Sequence, residues 1–215
     1  ARLTLAGCGG RALTPPLARR MLVALAVLPS STALAVSYAD ARRVNFAEHS
    51  SERDDSAALG FTPAVPSASV PAMATRVHRV DRRMLGMGRS CPFDTDDLVH
   101  ETDTALFTAD ECQMIQQEAA ERIAAGARST FTMTDTNRDV PVHELPASLG
   151  FLNRDGLARV ATLAAACFPT AIDSHGLWVY RGLVINYDAA VGLTHQPVHR
   201  DASLVSCTVP LSRRA

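Results

Sequence analysis

An amphipathic helix is the clearest pattern of hydrophobic and polar positions in the chain, and it begins at Thr108. Thr108 and Glu111 have the spacing of a capping box, in which a hydroxyl and a carboxylate accept hydrogen bonds from backbone N–H groups at the start of a helix. Apolar residues follow at helical spacing until Gly126, which is predicted to end the helix. These apolar positions are Cys112, Ile115, Ala119 and Ile123. The pattern predicts a helix that covers a sheet.

A second helix is predicted from about Asp155 to Phe168. Pro169 stops it, because the residue before a proline is disfavoured in the helical conformation. Its apolar positions are Leu157, Val160, Leu163 and Cys167. This pattern also indicates packing against a core.

The segment Thr130–Pro146, between the two helices, mixes β-forming residues with turn residues. His143 and Asp139 lie within it. Neither has a partner at a metal-binding spacing, so both are predicted to be exposed.

Strand patterns dominate the end of the chain. Two strand pieces are predicted on either side of Gly182, the first from Trp178 and the second ending at Tyr187. A half-buried strand then follows, because apolar and polar residues alternate along it. Its apolar positions are Val205, Cys207, Val209 and Leu211, and its other positions are Ser206, Thr208 and Pro210. Helices and strands together predict an α+β fold.

The first 39 residues have the features of a secretory leader. Arginines precede the short apolar run Met21–Leu28, no acidic residue occurs before Asp40, and Ala33–Ala35 resembles a cleavage site. The pattern predicts the secretory pathway or endoplasmic reticulum as the location. A membrane anchor and an organelle transit peptide are the alternatives, and only an uncleaved anchor would make a membrane a partner. Residues 40–104 show no lasting periodicity and predict a largely disordered linker.

Composition excludes some classes of function. The chain has 215 residues and a formal net charge of −1, so its charge gives no reason to expect nucleic acid as a partner. Its 5 cysteines are scattered without a Cys-x-x-Cys motif, which argues against a zinc ribbon. Cys112, Cys167 and Cys207 lie on predicted apolar faces and are expected to act as small core residues.

Candidate chemistry is concentrated at His199-Arg200-Asp201, between the last two predicted strands. On a strand, residues at i and i+2 point to the same face, so His199 and Asp201 can aim an imidazole and a carboxylate at one point. One neutral nitrogen and one hard oxygen suit Fe(II), and they form two thirds of a facial triad of two histidines and one carboxylate.

Tyr187, the loop after it, His199-x-Asp201 and the strand SLVSCTVPLS together resemble the core of the Fe(II)/2-oxoglutarate-dependent dioxygenases, in the prolyl 4-hydroxylase-like branch. The helix FTADECQMIQQEA resembles the helix that precedes the barrel in that branch. The resemblance implies a double-stranded β-helix, or jelly roll, in residues 105–215, with His199 and Asp201 as metal ligands and Tyr187 bonding a carboxylate of 2-oxoglutarate. It also implies O2 as cosubstrate, ascorbate as a further small molecule, and hydroxylation of a protein, a peptide (including peptidyl proline) or a small molecule.

One departure from the family pattern matters. The pattern needs a second histidine several strands after the triplet and soon afterwards a lysine or arginine, whereas no histidine follows His199 and only Arg213 and Arg214 remain. The sequence therefore predicts the N-terminal part of a dioxygenase domain with an incomplete jelly roll, and little or no hydroxylase activity in the 215-residue chain.

Two other interpretations stay open. A non-catalytic β-sandwich could use the same fold to bind a protein or glycan, in which case replacing His199 or Asp201 would leave partner binding intact. A cupin-like site could add His195 to the other two ligands. His195 and His199 have helical metal-binding spacing, but Pro197 between them disfavours a helix, so His195 is expected in a loop.

Overall fold

The computed structural model describes residues 2–5, 19–29, 56–80, 95–127, 138–169, 172, 177–188 and 205–212. Their strands are β1 (Arg2–Leu5), β2 (Arg19–Pro29), β3 (Thr75–Arg79), β4 (Asp97–Thr102), β5 (Arg138–Pro141), β6 (Leu177–Asp188) and β7 (Val205–Pro210). Their helices are α1 (Ala109–Ala124), α2 (Pro146–Phe151) and α3 (Leu157–Cys167). The described residues combine helices with strands, as the sequence predicted.

The seven strands form one sheet in the order β3-β4-β1-β7-β2-β6-β5. β1 pairs in parallel with β4 and with β7, and every other pair is antiparallel. Since β2 is antiparallel to both of its neighbours, β6 and β7 run in the same direction on either side of it.

The first predicted helix is confirmed as α1. The Thr108 side chain accepts from the Glu111 backbone N–H, and the Glu111 side chain accepts from the Thr108 backbone N–H, so the capping box is complete. Cys112, Ile115 and Ala119 are buried along the helix. Gly126 lies just after its end with a φ of 90°, a conformation that favours glycine.

The second predicted helix is confirmed as α3, but the helical segment begins earlier than the sequence indicated. α2 starts with Pro146 in its first turn, a position where the missing N–H of proline costs nothing. A π-helical turn, Leu152–Gly156, joins α2 to α3. Pro146 therefore begins a helix before the predicted start at about Asp155, and the helical layer is longer than predicted.

A single hydrophobic core joins the helices to the sheet. Phe107 and Phe151 pack edge to face within it, with ring centroids 5.1 Å apart. Its largest fully buried side chains are Phe107, Phe168, Leu98, Ile115, Leu145, Leu152, Leu157 and Leu177.

Gly182 does not separate two strands, because β6 is continuous from Leu177 to Asp188. A Cβ atom at Gly182 would lie 3.1 Å from Phe61 Cζ and 3.3 Å from Val142 Cβ. Glycine therefore allows close packing against the sheet at this position. An isolated glycine in a strand pattern can mark close approach as well as a break, and here it marks close approach.

Residues 56–80 and 95–104 lie within the segment predicted to be a disordered linker, but they make ordered contacts with the rest of the protein. Phe61 and Ala64 are buried in the core, and Ala64 exchanges backbone hydrogen bonds of 2.7 and 2.8 Å with Leu177. The Asn153 amide donates to Gly60 O and its carbonyl accepts from Thr62 N. Single apolar residues without periodicity hold this segment in place through tertiary contacts, which a search for periodic patterns does not detect.

Two paired strands, β3 and β4, also lie within the segment predicted to be a disordered linker. Ion pairs join Arg76 to Asp103 at 3.3 Å and Arg79 to Asp97 at 3.4 Å, and His78 lies 3.3 Å from Glu101. All are at least partly exposed, so each contributes about 0–1 kcal/mol. The charges also protect β3, an edge of the sheet, from pairing with other chains.

The N-terminal segment predicted to be a leader contributes two strands, β1 and β2, to the sheet. Cleavage of the predicted leader stays a prediction, because the pairing of β1 and β2 in the sheet does not test it.

Candidate metal and cosubstrate site

The two faces of β6 have different surroundings. Gly182 and Val184 lie on the face covered by Phe61, Val142 and the helical core, which we call the helix face. Successive strand residues alternate in direction, so Leu183, Ile185 and Tyr187 lie on the other face, which we call the second face. Leu183 and Ile185 are 4% and 3% exposed, yet only Val184 among these neighbours belongs to the large core cluster.

Tyr187, the predicted cosubstrate residue, lies on the second face near the end of β6. Its side chain is half-buried, and its backbone pairs with Arg20 of β2. Tyr187 interacts with other groups of the protein. A half-buried phenol at a strand end can donate a hydrogen bond to a carboxylate.

Asp139 was predicted to be exposed, and this prediction is wrong. It is 1% exposed, and it pairs with Ile185, which places it on the second face because direct partners on neighbouring strands share a face. A buried carboxylate needs compensating interactions, and Asp139 has them. No local pattern in Arg138-Asp-Val-Pro141 indicates this burial, which depends on the pairing of β5 with β6. His143, in contrast, is exposed as predicted.

β7 confirms the predicted alternation and extends both faces. Val205, Cys207 and Val209 belong to the core on the helix face. Ser206 and Thr208, between them, lie on the second face and give it hydroxyl groups. On β5, β6 and β7, the second face therefore carries apolar residues together with the Asp139 carboxylate, the Tyr187 phenol and the hydroxyls of Ser206 and Thr208.

Cys207 in the core and Cys167 packed against it have unreactive thiols. Burial raises the pKa of the Cys167 thiol to about 12. Burial, together with the neighbouring Cys167, raises the pKa of the Cys207 thiol as well. Both therefore stay protonated near neutral pH and are poor metal ligands or nucleophiles. Cys112 is buried and disulfide-bonded, which the sequence did not predict.

The predicted metal ligands His199 and Asp201, and the loop residue His195, lie outside the described residues. Among the residues that the structure describes, no group of three His, Cys, Asp or Glu side chains could hold a metal ion. Tyr187 is thus the predicted site residue whose surroundings are described. The strands on both sides of the triplet, β6 and β7, are described as well.

Comparisons with protein-family models, with curated proteins and with solved structures give no significant match for this chain. In the described part of the chain, none of the helices has the length and apolar character needed to cross a membrane. Function must therefore be argued from the residues and from the geometry around them.

Proposed function

We propose that this chain carries the core of an Fe(II)- and 2-oxoglutarate-dependent dioxygenase, with His199 and Asp201 as metal ligands and Tyr187 as a cosubstrate residue. The observation that carries the proposal is the sequence His199-x-Asp201 between β6 and β7, together with the position of Tyr187 on the second face near the end of β6. The finer architecture that we propose is a partial jelly roll.

The relation of β6 to β7 supports this architecture. Two strands that run in parallel in one sheet require a crossover connection. Residues 189–204 supply that connection and contain the triplet. The helix face already carries the core, so we assign the proposed site to the second face, on which Tyr187 lies.

The donor chemistry fits iron in part. An imidazole and a carboxylate are two of the three protein ligands in a facial triad, and the third is not identified among the described residues. When bound, Fe(II) with 2-oxoglutarate and O2 supplies the oxidation of a C–H bond in a substrate. The proposed tasks of this chain's own side chains are to hold the metal at His199 and Asp201, and to orient the cosubstrate through Tyr187.

The first test measures metal binding by the full chain, with Co(II) as a spectroscopic probe for Fe(II). We expect His199→Ala and Asp201→Ala each to weaken binding by more than the 10–100-fold that loss of an outer-shell partner costs. His195→Ala and His143→Ala are the matched controls and should bind as the parent does. Unchanged binding in both ligand variants would refute the metal site, and loss of binding in His195→Ala would favour the cupin-like site.

The second test separates the cosubstrate from the metal. We expect Tyr187→Phe to weaken 2-oxoglutarate binding about 10–100-fold, because it removes one hydrogen bond to a charged group, and to leave Co(II) binding unchanged. Equal 2-oxoglutarate affinity in the parent and the variant would contradict the role of Tyr187. If neither metal nor 2-oxoglutarate binds, the non-catalytic β-sandwich module replaces the oxygenase.

The proposed substrate class is a protein, a peptide (including peptidyl proline) or a small molecule, and ascorbate is a proposed further ligand. The proposed location is the secretory pathway, with an organelle as the alternative. The disulfide at Cys112 supports an oxidising compartment, since disulfides persist there and are rare in reducing ones.

A further inference from the structure

The two N-terminal strands connect pieces of the sheet that do not pair with one another. Without β1 and β2, the remaining strands fall into the pair β3-β4, the single strand β7 and the pair β6-β5. β1 fills the gap between β4 and β7, and β2 fills the gap between β7 and β6. The sheet around the predicted site is therefore continuous only when the N-terminal segment is in place.

β2 has partners along both of its edges. All of Arg19–Pro29 pairs with β6, from Asp188 to Leu177, and Leu22–Val27 also pairs with β7. The register with β6 shifts once, between Ala26 and Val27, where the longer strand carries one extra residue. Pairing on two edges makes the gap between β6 and β7, which we call the slot, a complete site for one extended strand.

We propose that the slot is a strand-binding site whose occupant is Arg19–Pro29 of this chain, held by non-covalent pairing after any cut between residues 30 and 55. Addition of an extended segment to neighbouring strands is a known mode of peptide binding, in which main-chain hydrogen bonds supply the affinity. The same pairing makes the occupant replaceable by an identical strand. This inference does not depend on metal binding.

The position of β2 in the chain makes such binding feasible. It lies near the N-terminal end of the sequence, and residues 30–55 separate it from the next described segment. A cut between residues 30 and 55 would separate β2 from the rest of the chain, so the strand could enter or leave the slot without threading a loop through the sheet. In the intact chain, the tether gives it a high effective concentration beside the slot. Cleavage of the predicted leader would remove this high effective concentration and leave only the backbone pairing of β2 with β6 and β7.

The test uses the full chain with a protease site inserted between Asp40 and Asp55. After cleavage, we expect the N-terminal fragment to coelute with the rest of the chain. A labelled peptide of residues 1–29 should then exchange into the complex. A matched peptide with Val23→Pro should bind about 100-fold more weakly, because proline removes a backbone donor and clashes in a strand paired on both sides. Hydrogen exchange of α1 amides reports whether the helical layer stays folded.

Three outcomes would overturn the proposal. Separation of the fragment while the amides of β6 and β7 remain protected would mean that the slot does not need this strand. Separation together with loss of protection in β6, β7 and α1 would mean that the pairing does not persist without a covalent link. Equal binding of the Val23→Pro peptide would show that strand pairing does not hold the occupant.

Discussion

The helix face and the second face of the sheet share the same strands but differ in how they are built. On the helix face, Val184 and Cys207 join a core of apolar helical and strand residues. On the second face, the neighbouring positions are Asp139, Tyr187 and Thr208. The alternation of strand side chains thus separates a surface that holds the fold together from a surface that can carry chemistry.

Polar residues of the helical layer act mainly as links between elements. Arg159 donates two hydrogen bonds of 2.9 Å to the Glu111 carboxylate and another of 3.1 Å to Leu106 O, and it also contacts Asp155. Glu118 accepts from the backbone N–H groups of Ala147 and Ser148 at 2.8 Å, so a side chain of α1 caps the start of α2. These polar groups are satisfied within the protein.

The largest expected effect belongs to the core on the helix face. Leu157→Ala should lower the free energy of unfolding by about 2–5 kcal/mol, because it removes a fully buried side chain and leaves a cavity. Chemical denaturation measures the loss. Val65→Ala, at an exposed position, is the control and should change stability by about 0.5 kcal/mol or less. Similar losses for both variants would contradict the packing described for α3.

Removing Asp139 tests the second face against the helix face, because its side chain is buried on the second face. Asp139→Ala should lower the free energy of unfolding by about 1–3 kcal/mol, since groups that interact with its carboxylate lose a partner. Thermal and chemical unfolding of the full chain measure it. Unchanged stability together with weaker 2-oxoglutarate binding would instead assign the carboxylate to the site.

Glu111 should make stability depend on pH in the acidic range. Burial alone would raise its pKa, but hydrogen bonds from Arg159 and from the Thr108 N–H outweigh burial and lower the pKa below its usual value. A lowered pKa adds stability above the usual pKa near 4.5, and this stability is lost as the pH falls through the lower value. We expect Glu111→Gln to reduce this dependence of Tm on pH between about 3 and 6. Exposed Glu121→Gln should retain it.

The smallest effect is expected at the charged edge of the sheet. Arg76→Ala should change the free energy of unfolding by at most about 1 kcal/mol, because its ion pair with Asp103 is exposed. Denaturation in low and high salt measures the effect and its screening. A large loss of stability would mean that the β3–β4 pair depends on this charge, which the exposure of both side chains does not support.

The sequence predicts regular elements better than their partners in space. The capping box of α1 and the alternation of β7 were predictable, because both depend on residues close together in the chain. The burial of Asp139 depends on its pairing with Ile185, and the close packing at Gly182 depends on Phe61. Contacts between segments far apart in sequence have no local signature, so these features could not be found from periodicity.

For the candidate site, the sequence supplies residue types and the structure supplies the face on which one of them lies. Tyr187 was proposed through the resemblance to the dioxygenases, and its place in β6 puts it on the second face. Asp139, on the same face, was predicted to be exposed because the sequence offers it no partner at a metal-binding spacing, yet it is buried. Burial of a charged residue is decided by tertiary partners, which a composition rule does not include.

The central position of β2 has a consequence for how the chain folds. Met21 pairs with Asn186, and Leu22 pairs with Pro210, so the middle of the sheet joins residues from opposite ends of the chain. Pairings of such long range are slow to form, because the entropy of loop closure opposes them. During synthesis, β2 is made before β6 and β7, the two strands with which it pairs. Completion of the sheet is therefore expected to be a late step of folding, and until then an apolar strand remains open to aggregation.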